Sequence, residues 1–250
     1  MIIADDFGLG RGHNSVILRL LNDGVINGTS VFVDALENEE DFLTLSRIRL
    51  EKKIQVGLHF NLTERFTPYK AQGNILSVWC KSIFWGFKKG FVESELHRQF
   101  ELFQELLGFA PDFIDGHQHC HAIPGFWPAL HRLIERQDEQ FWVRSPCPAT
   151  LPSALSQIRS GGMKSILVMW WGWRLRYRLG TCHVNTNSDF SGLVKYSDKS
   201  TFETRFRQLA KDTPCNCLFM THPGSAQDSA EIVGHTNYFR AVEATVLAKL

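Results

Sequence analysis

Short apolar runs alternate along this chain with stretches of helical periodicity, and four of the apolar runs end directly in a polar, chemistry-bearing cluster. Ile2-Ile3-Ala4 leads into Asp5-Asp6-Phe7-Gly8, and Ile54–Leu58 leads into His59-Phe60-Asn61. Phe113-Ile114 leads into Asp115-Gly116-His117-Gln118-His119-Cys120-His121, and Cys217–Met220 into Thr221-His222-Pro223-Gly224. Strands alternating with helices call for a parallel α/β arrangement, open or closed. In such folds sites are built at the carboxyl ends of the strands, which is where all four clusters fall.

The spacing predicts strands over residues 1–4, 29–33, 54–58, 113–115, 141–144, 181–185 and 217–221. Helices are predicted over 11–23, 38–49 (with Phe42, Leu43, Leu45 and Ile48 inward), 92–109, 125–136, 201–211 and 236–250. Residues 62–91 break this rhythm with Pro68, Gly73, Gly86, Gly90 and an aromatic-rich piece, Val78–Trp85; they read as an insertion over the active face. The run Ser165–Trp173, followed by Arg174, Arg176, Tyr177 and Arg178, is too short to cross a bilayer. It reads as a buried or half-buried helix under the barrel rim. The alternative is an interfacial patch, because Trp, Tyr and Arg suit the headgroup boundary. With no Pro-, Gly- or Ser-rich linker, no low-complexity segment and no internal repeat, residues 1–250 read as one domain.

Composition excludes more than it selects. A chain of 250 residues that is 44% hydrophobic can bury a sizeable core. Lys+Arg of 27 against Asp+Glu of 26 leaves +1, so no global field argues for a nucleic-acid partner. The six cysteines contain no CxxC pair, and the chain opens without a basic and apolar leader, so a reducing, cytoplasmic setting is expected. Contact with a membrane surface and homodimerisation stay open.

Adjacent carboxylates in one cleft need a cation or a proton to coexist. Asp5 and Asp6 could instead cap the helix beginning near Arg11. Histidines at later strand ends favour a metal: Asp6, His59 and His117 could converge on one ion and leave positions open for water. Asp5, beside a ligand, could then take that water's proton. His117, His119 and His121 lie at period two, so an extended run would put them on one face. At most one or two of these would touch the ion, the others supporting it or contacting substrate. Pro223 restrains His222 and fixes the approach of its ring. His13, His97, His131, His183 and His235 read as surface or packing residues.

The Ala4–Leu9 opening, Val56–Thr63, Ile114–His121 and Thr221–Gly224, in this order over nearly the whole chain, resemble the YdjC/ChbG-type carbohydrate deacetylases. The resemblance implies a distorted (β/α) barrel, one divalent metal ion (Mg²⁺ or Zn²⁺) and hydrolysis of an N-acetyl group on an amino sugar. Carried over by position, it makes Asp6, His59 and His117 the metal ligands and Asp5 the base. His222 becomes a general acid or oxyanion stabiliser, and Arg144 a residue that touches substrate or orients Asp5. Asn61, His119 and His121 become substrate contacts, while Asp189–Gly192, Arg240 and Glu243 shape the site. The chain departs from the pattern in a short lead into Asp5, in Gly10, and in a Trp-rich segment around Trp170. That segment leaves room for a lipid-linked sugar beside a small-molecule one. The alternatives are a metal-dependent hydrolase of another bond, such as a phosphoester, and a non-catalytic sugar-binding protein.

Overall fold

The computed structural model describes residues 1–35, 39–64, 90–137, 140–230 and 235–250. Among them are seven strands: β1 (Ile2–Phe7), β2 (Gly28–Val31), β3 (Gln55–Phe60), β4 (Phe113–Gly116), β5 (Trp142–Val143), β6 (Phe190–Ser191) and β7 (Leu218–Thr221). All pair in parallel, in the order β5-β4-β3-β2-β1-β7-β6. This is the circular order of a barrel cut open between β5 and β6. The fold is a distorted α/β barrel whose curled sheet is flanked by helices α1 (Arg11–Asn22), α2 (Glu39–Lys52), α3 (Phe91–Leu107), α4 (Trp127–Arg136), α5 (Leu151–Gly161), α6 (Met163–Thr181), α7 (Lys199–Asp212) and α8 (Asn237–Leu247).

Side chains alternate across each strand, and here alternation sorts the chemistry. Ala4, Val31, Val56, Leu58, Phe60, Ile114 and Phe219 join the main core with α1 to α4. The other face carries Ile3, Phe113, Phe190, Leu218 and Met220, a second apolar cluster that fills the floor of the barrel. One step further along the same strands stand Asp5, Ser30, His59, Asp115 and His222, all buried. The sequence therefore lays a polar layer on an apolar floor. Gly57 belongs to that floor because the Phe113 ring lies where a Cβ would go.

Between β5 and β6 side chains stand in for a strand ladder. The Val143 N–H donates to Asn185 O at 3.0 Å. Asn187 then bridges the gap: its Oδ1 accepts from Ser145 N–H at 2.7 Å, and its Nδ2 donates to Ser145 O and Asp189 O at 3.0 and 2.9 Å.

The expected strand over 181–185 is absent. Helix α6 runs on through Thr181, and His183 takes φ +55°, which stops extension where the β-branched residues invited it. Leu43, expected inward, is 67% exposed, because Phe42, Leu45 and Ile48 already fill the inner stripe of α2. The apolar run at 165–173 is a half-buried helix, with Val168 and Trp171 inward and Trp170 and Trp173 outward. Most of the expected insertion, residues 65–89, lies outside the described residues. No helix among the described residues is long and apolar enough to cross a membrane.

Candidate active site

Alternation would send Asp5 and Asp6 to opposite faces of β1, yet both reach one cleft. The register of β1 against β2 shifts between Ala4 and Phe7, and Asp6 sits at φ +70°. This irregularity re-aims Asp6 while Asp5 keeps its barrel-interior position. A non-glycine residue held there costs about 1–3 kcal/mol, so the strain is retained for what it places. Neither aspartate caps α1: its N-cap is Gly10, and the carboxylate at its first turn is Asp228, whose Oδ2 accepts the His13 N–H at 2.8 Å. Both pair with buried arginines instead.

Arg144 grips Asp5 through both oxygens, Nη1 to Oδ2 at 2.6 Å and Nη2 to Oδ1 at 2.8 Å. The same Nη2 lies 2.6 Å from Asp115 Oδ2. Asp115 Oδ1 is 2.6 Å from His59 Nδ1, which also meets Ser30 Oγ at 3.0 Å. Arg240 Nη2 donates to Asp6 Oδ2 at 2.5 Å, leaving Oδ1 to face His59 Nε2 at 3.2 Å and His117 Nδ1 at 3.3 Å.

Those last contacts are close but not aligned as hydrogen bonds. Asp6 Oδ1, His59 Nε2 and His117 Nε2 are buried atoms without a hydrogen-bond partner. Buried polar atoms are nearly always partnered, so Asp6 Oδ1 and His59 Nε2, with His117 Nδ1 turned to the same point, are arranged for a common fourth atom, while His117 Nε2 faces Glu64 Oε1. Two other trios lie close enough to share an ion, Asp5-His59-Asp115 and Asp6-His222-His235. In the first, Asp5 and Asp115 are taken up by Arg144. In the second, Asp6 Oδ2 and His222 Nδ1 are taken up by Arg240 and Tyr196, but Asp6 Oδ1 and His235 Nδ1 have no hydrogen-bond partner among the described residues, so this trio shares the Asp6 oxygen with His59 and His117.

Charge points the same way. Among the described residues, Asp5, Asp6 and Asp115 are buried against two buried guanidiniums, Arg144 and Arg240. Burial opposes charge on His59, but Asp115, Asp6 and Asp5 outweigh it and push its pKa up to about 10. The pocket draws in further positive charge, and one carboxylate with two imidazoles suits a divalent cation.

The opposite wall is His222, with Nε2 4.0 Å from Asp5 Oδ2. Its Nδ1 lies 3.0 Å from Tyr196 Oη, and that hydroxyl donates to Glu243 Oε1 at 2.8 Å. The other Glu243 oxygen accepts the His222 backbone N–H. Because the Tyr196 proton goes to Glu243, its oxygen accepts from Nδ1–H, and the network assigns His222 a bare Nε2 facing the cleft. Burial lowers the His222 pKa to about 4 despite Asp6 and Asp5, so the ring is neutral. Burial also raises Glu243 to about 7. Between these walls lies a cavity of about 530 Å³, bordered by His119, Tyr196, His235 and residues 161–165 of the α5–α6 junction.

Residues 1–249 match the family described as YdjC-like protein. The chain belongs to the YdjC-like family. This YdjC-like chain is 30% identical over 154 residues to the mouse protein named carbohydrate deacetylase, covering 56% of the chain and 48% of that relative. It is 29% identical over 147 residues to the chitooligosaccharide deacetylase of Proteus mirabilis, covering 55% of each. The match thus spans about half the length of these curated relatives. In structure it resembles an Enterococcus faecalis protein provisionally assigned to cellobiose-phosphate cleavage. The TM-score is 0.64 at 20% identity, covering 99% of this chain and 89% of the other.

In this YdjC-like fold Asp5, Asp6, His59, His117 and His222 come together as one cluster, and His119 lines the cavity beside them. The other expected substrate contacts stand elsewhere. Arg144 is wholly buried behind Asp5 and Asp115 and does not border the cavity. His121 turns away to bond Arg144 O through Nε2 at 2.9 Å. Asn61 accepts the N–H groups of Thr63 and Glu64, a turn that sets Glu64 Oε1 3.3 Å from His117 Nε2. The three histidines do not share an extended face, because residues 117–122 form a 3₁₀ turn with Gln118 and His119 at φ +51° and +60°. His235, read as packing, faces the cavity and stands 4.4 Å from the His222 ring, centroid to centroid. Tyr196 is in no motif of the sequence, and only the Asp115-Gly116-His117 order hinted at Asp115.

Proposed function

We propose that this chain removes the N-acetyl group from an amino sugar by divalent-metal-dependent hydrolysis. One observation carries the reading. His59 and His117 of the trio, the ionised carboxylate of Asp5 and the neutral imidazole of His222 all border a single sugar-sized cavity, with Asp6 buried against the two histidines. The deacetylase names of the relatives support the same class.

A divalent ion held by Asp6, His59 and His117 would polarise the acyl oxygen and acidify a water. Burial raises Asp5, but Arg144, His59 and His222 outweigh it and hold its pKa at about 2, so it stands ionised as a proton acceptor. Arg144 fixes the plane of that carboxylate from behind. A neutral His222 must receive a proton before it can give one; Asp5 Oδ2, 4.0 Å from Nε2, is too far for a direct hydrogen bond and would pass the proton through one intervening water. His222 then protonates the amine nitrogen as the C–N bond breaks. Tyr196 and Glu243 keep its ring fixed throughout. His119, which burial holds well below its ordinary pKa, offers a neutral hydrogen-bonding edge to sugar hydroxyls.

Acetate release from a panel of N-acetylated sugars, with Zn²⁺ or Mg²⁺ and after chelation, tests the reaction. Asp5→Asn is expected to keep the metal and lose turnover. Retained turnover would remove Asp5 from the base role.

A further inference from the structure

Helix α6 has two faces with opposite characters. Inward, Val168, Trp171, Leu175 and Leu179 are buried. Outward stand Met163, Ile166, Trp170, Trp173 and Tyr177, each 42–77% exposed. Their spacing of three, four, three and four residues puts them on one face as a continuous stripe about 21 Å long. Single exposed apolar side chains are ordinary; a contiguous row of five is a contact surface.

Charge says what it contacts. The helix carries Lys164, Arg174, Arg176 and Arg178 and no Asp or Glu. Arg174 lies over the Trp170 ring at 5.1 Å, beside the stripe. A second copy of the helix would bring arginines against arginines with no acid to meet them. An anionic lipid surface supplies the missing charge and takes Trp and Tyr at its headgroup level. Position says why. Met163, Lys164, Ser165 and Val168, from the first two turns of this helix, also line the catalytic cavity.

We propose that the outer face of α6 seats the protein on an anionic bilayer surface, with the cavity mouth at the headgroups, and that the sugar deacetylated is lipid-anchored. The substrate half rests on the deacetylase reading; the surface half does not. Flotation with phosphatidylglycerol–phosphatidylcholine vesicles compares wild type with Trp170→Ser/Trp173→Ser/Tyr177→Ser. Wild type is expected to co-float and the triple variant to bind about tenfold more weakly or worse. Both should hydrolyse a short soluble N-acetylated sugar equally, and only wild type should act efficiently on a sugar anchored in those vesicles. If the triple variant does not fold, Arg174→Gln/Arg178→Gln should weaken binding to the anionic vesicles.

Wild type that fails to float, variants that float equally, or a wild-type dimer that the triple variant abolishes would overturn the proposal. So would equal action of wild type and triple variant on the vesicle-anchored sugar. Binding lost in the variant with no acetate from either sugar would uphold the surface and overturn the deacetylase reading.

Discussion

Replacing Arg144 with methionine separates positioning from substrate contact. The wild-type guanidinium meets Asp5 at 2.6 and 2.8 Å and Asp115 at 2.6 Å, entirely out of solvent. Methionine keeps the apolar stem and removes the charge, leaving Asp5 without its buried guanidinium partner and Asp115, among the described residues, with the His59 ring alone. Breaking a buried ion pair from one side costs about 3–5 kcal/mol, a large share of the ~5–15 kcal/mol that holds a domain together. Urea unfolding should show a lower midpoint at an unchanged slope. Adding Asp5→Asn and Asp115→Asn should recover most of the loss, because no buried charge is then left alone. In kinetics, Arg144→Met should lower kcat at steady KM, with the acid limb of the pH profile moving upward as Asp5 loses its principal counter-charge. A stability loss below about 1 kcal/mol, or a rise in KM alone, would refute the reasoning.

Tyr196→Phe removes the acceptor that fixes the proton on His222 Nδ1; kcat should fall roughly tenfold or more at steady KM. An unchanged kcat in steady-state assays would show that the tautomer does not matter. Gly57→Ala drives a methyl into the Phe113 ring and should cost about 1–3 kcal/mol in thermal denaturation. A wild-type Tm would mean that the barrel floor can yield.

What the sequence displayed and what it concealed follow one physical divide. Strands ending in polar clusters were legible because period-two burial and strand-end chemistry are both local. So were the long amphipathic helices, such as α3 with Leu96, Phe100, Phe103 and Leu107 on its inner stripe. Concealed features depend on backbone torsions that no pattern records. Asp6 at φ +70° defeats alternation and lets two neighbouring aspartates share a cleft; Gln118 and His119 in the left-handed region scatter three histidines that spacing had aligned. Residues 181–185 have strand-forming composition, but the helix before them does not stop in time. Tyr196 and His235 are brought to His222 only by tertiary packing, from segments with no motif of their own, and Glu243, expected to shape the site, meets His222 through the Tyr196 hydroxyl. Arg144 was visible as a residue that touches substrate or orients Asp5, but only the fold shows that the same guanidinium also meets Asp115.

The central claim is that Asp6, His59 and His117 hold a divalent ion on which deacetylation depends. It is tested most directly by measuring bound metal and acetate release on the same preparations of wild type and Asp6→Ala. Wild type is expected to bind about one equivalent of ion and to release acetate that chelation abolishes, with both lost together in Asp6→Ala. An Asp6→Ala protein that keeps its metal and still releases acetate would contradict the account.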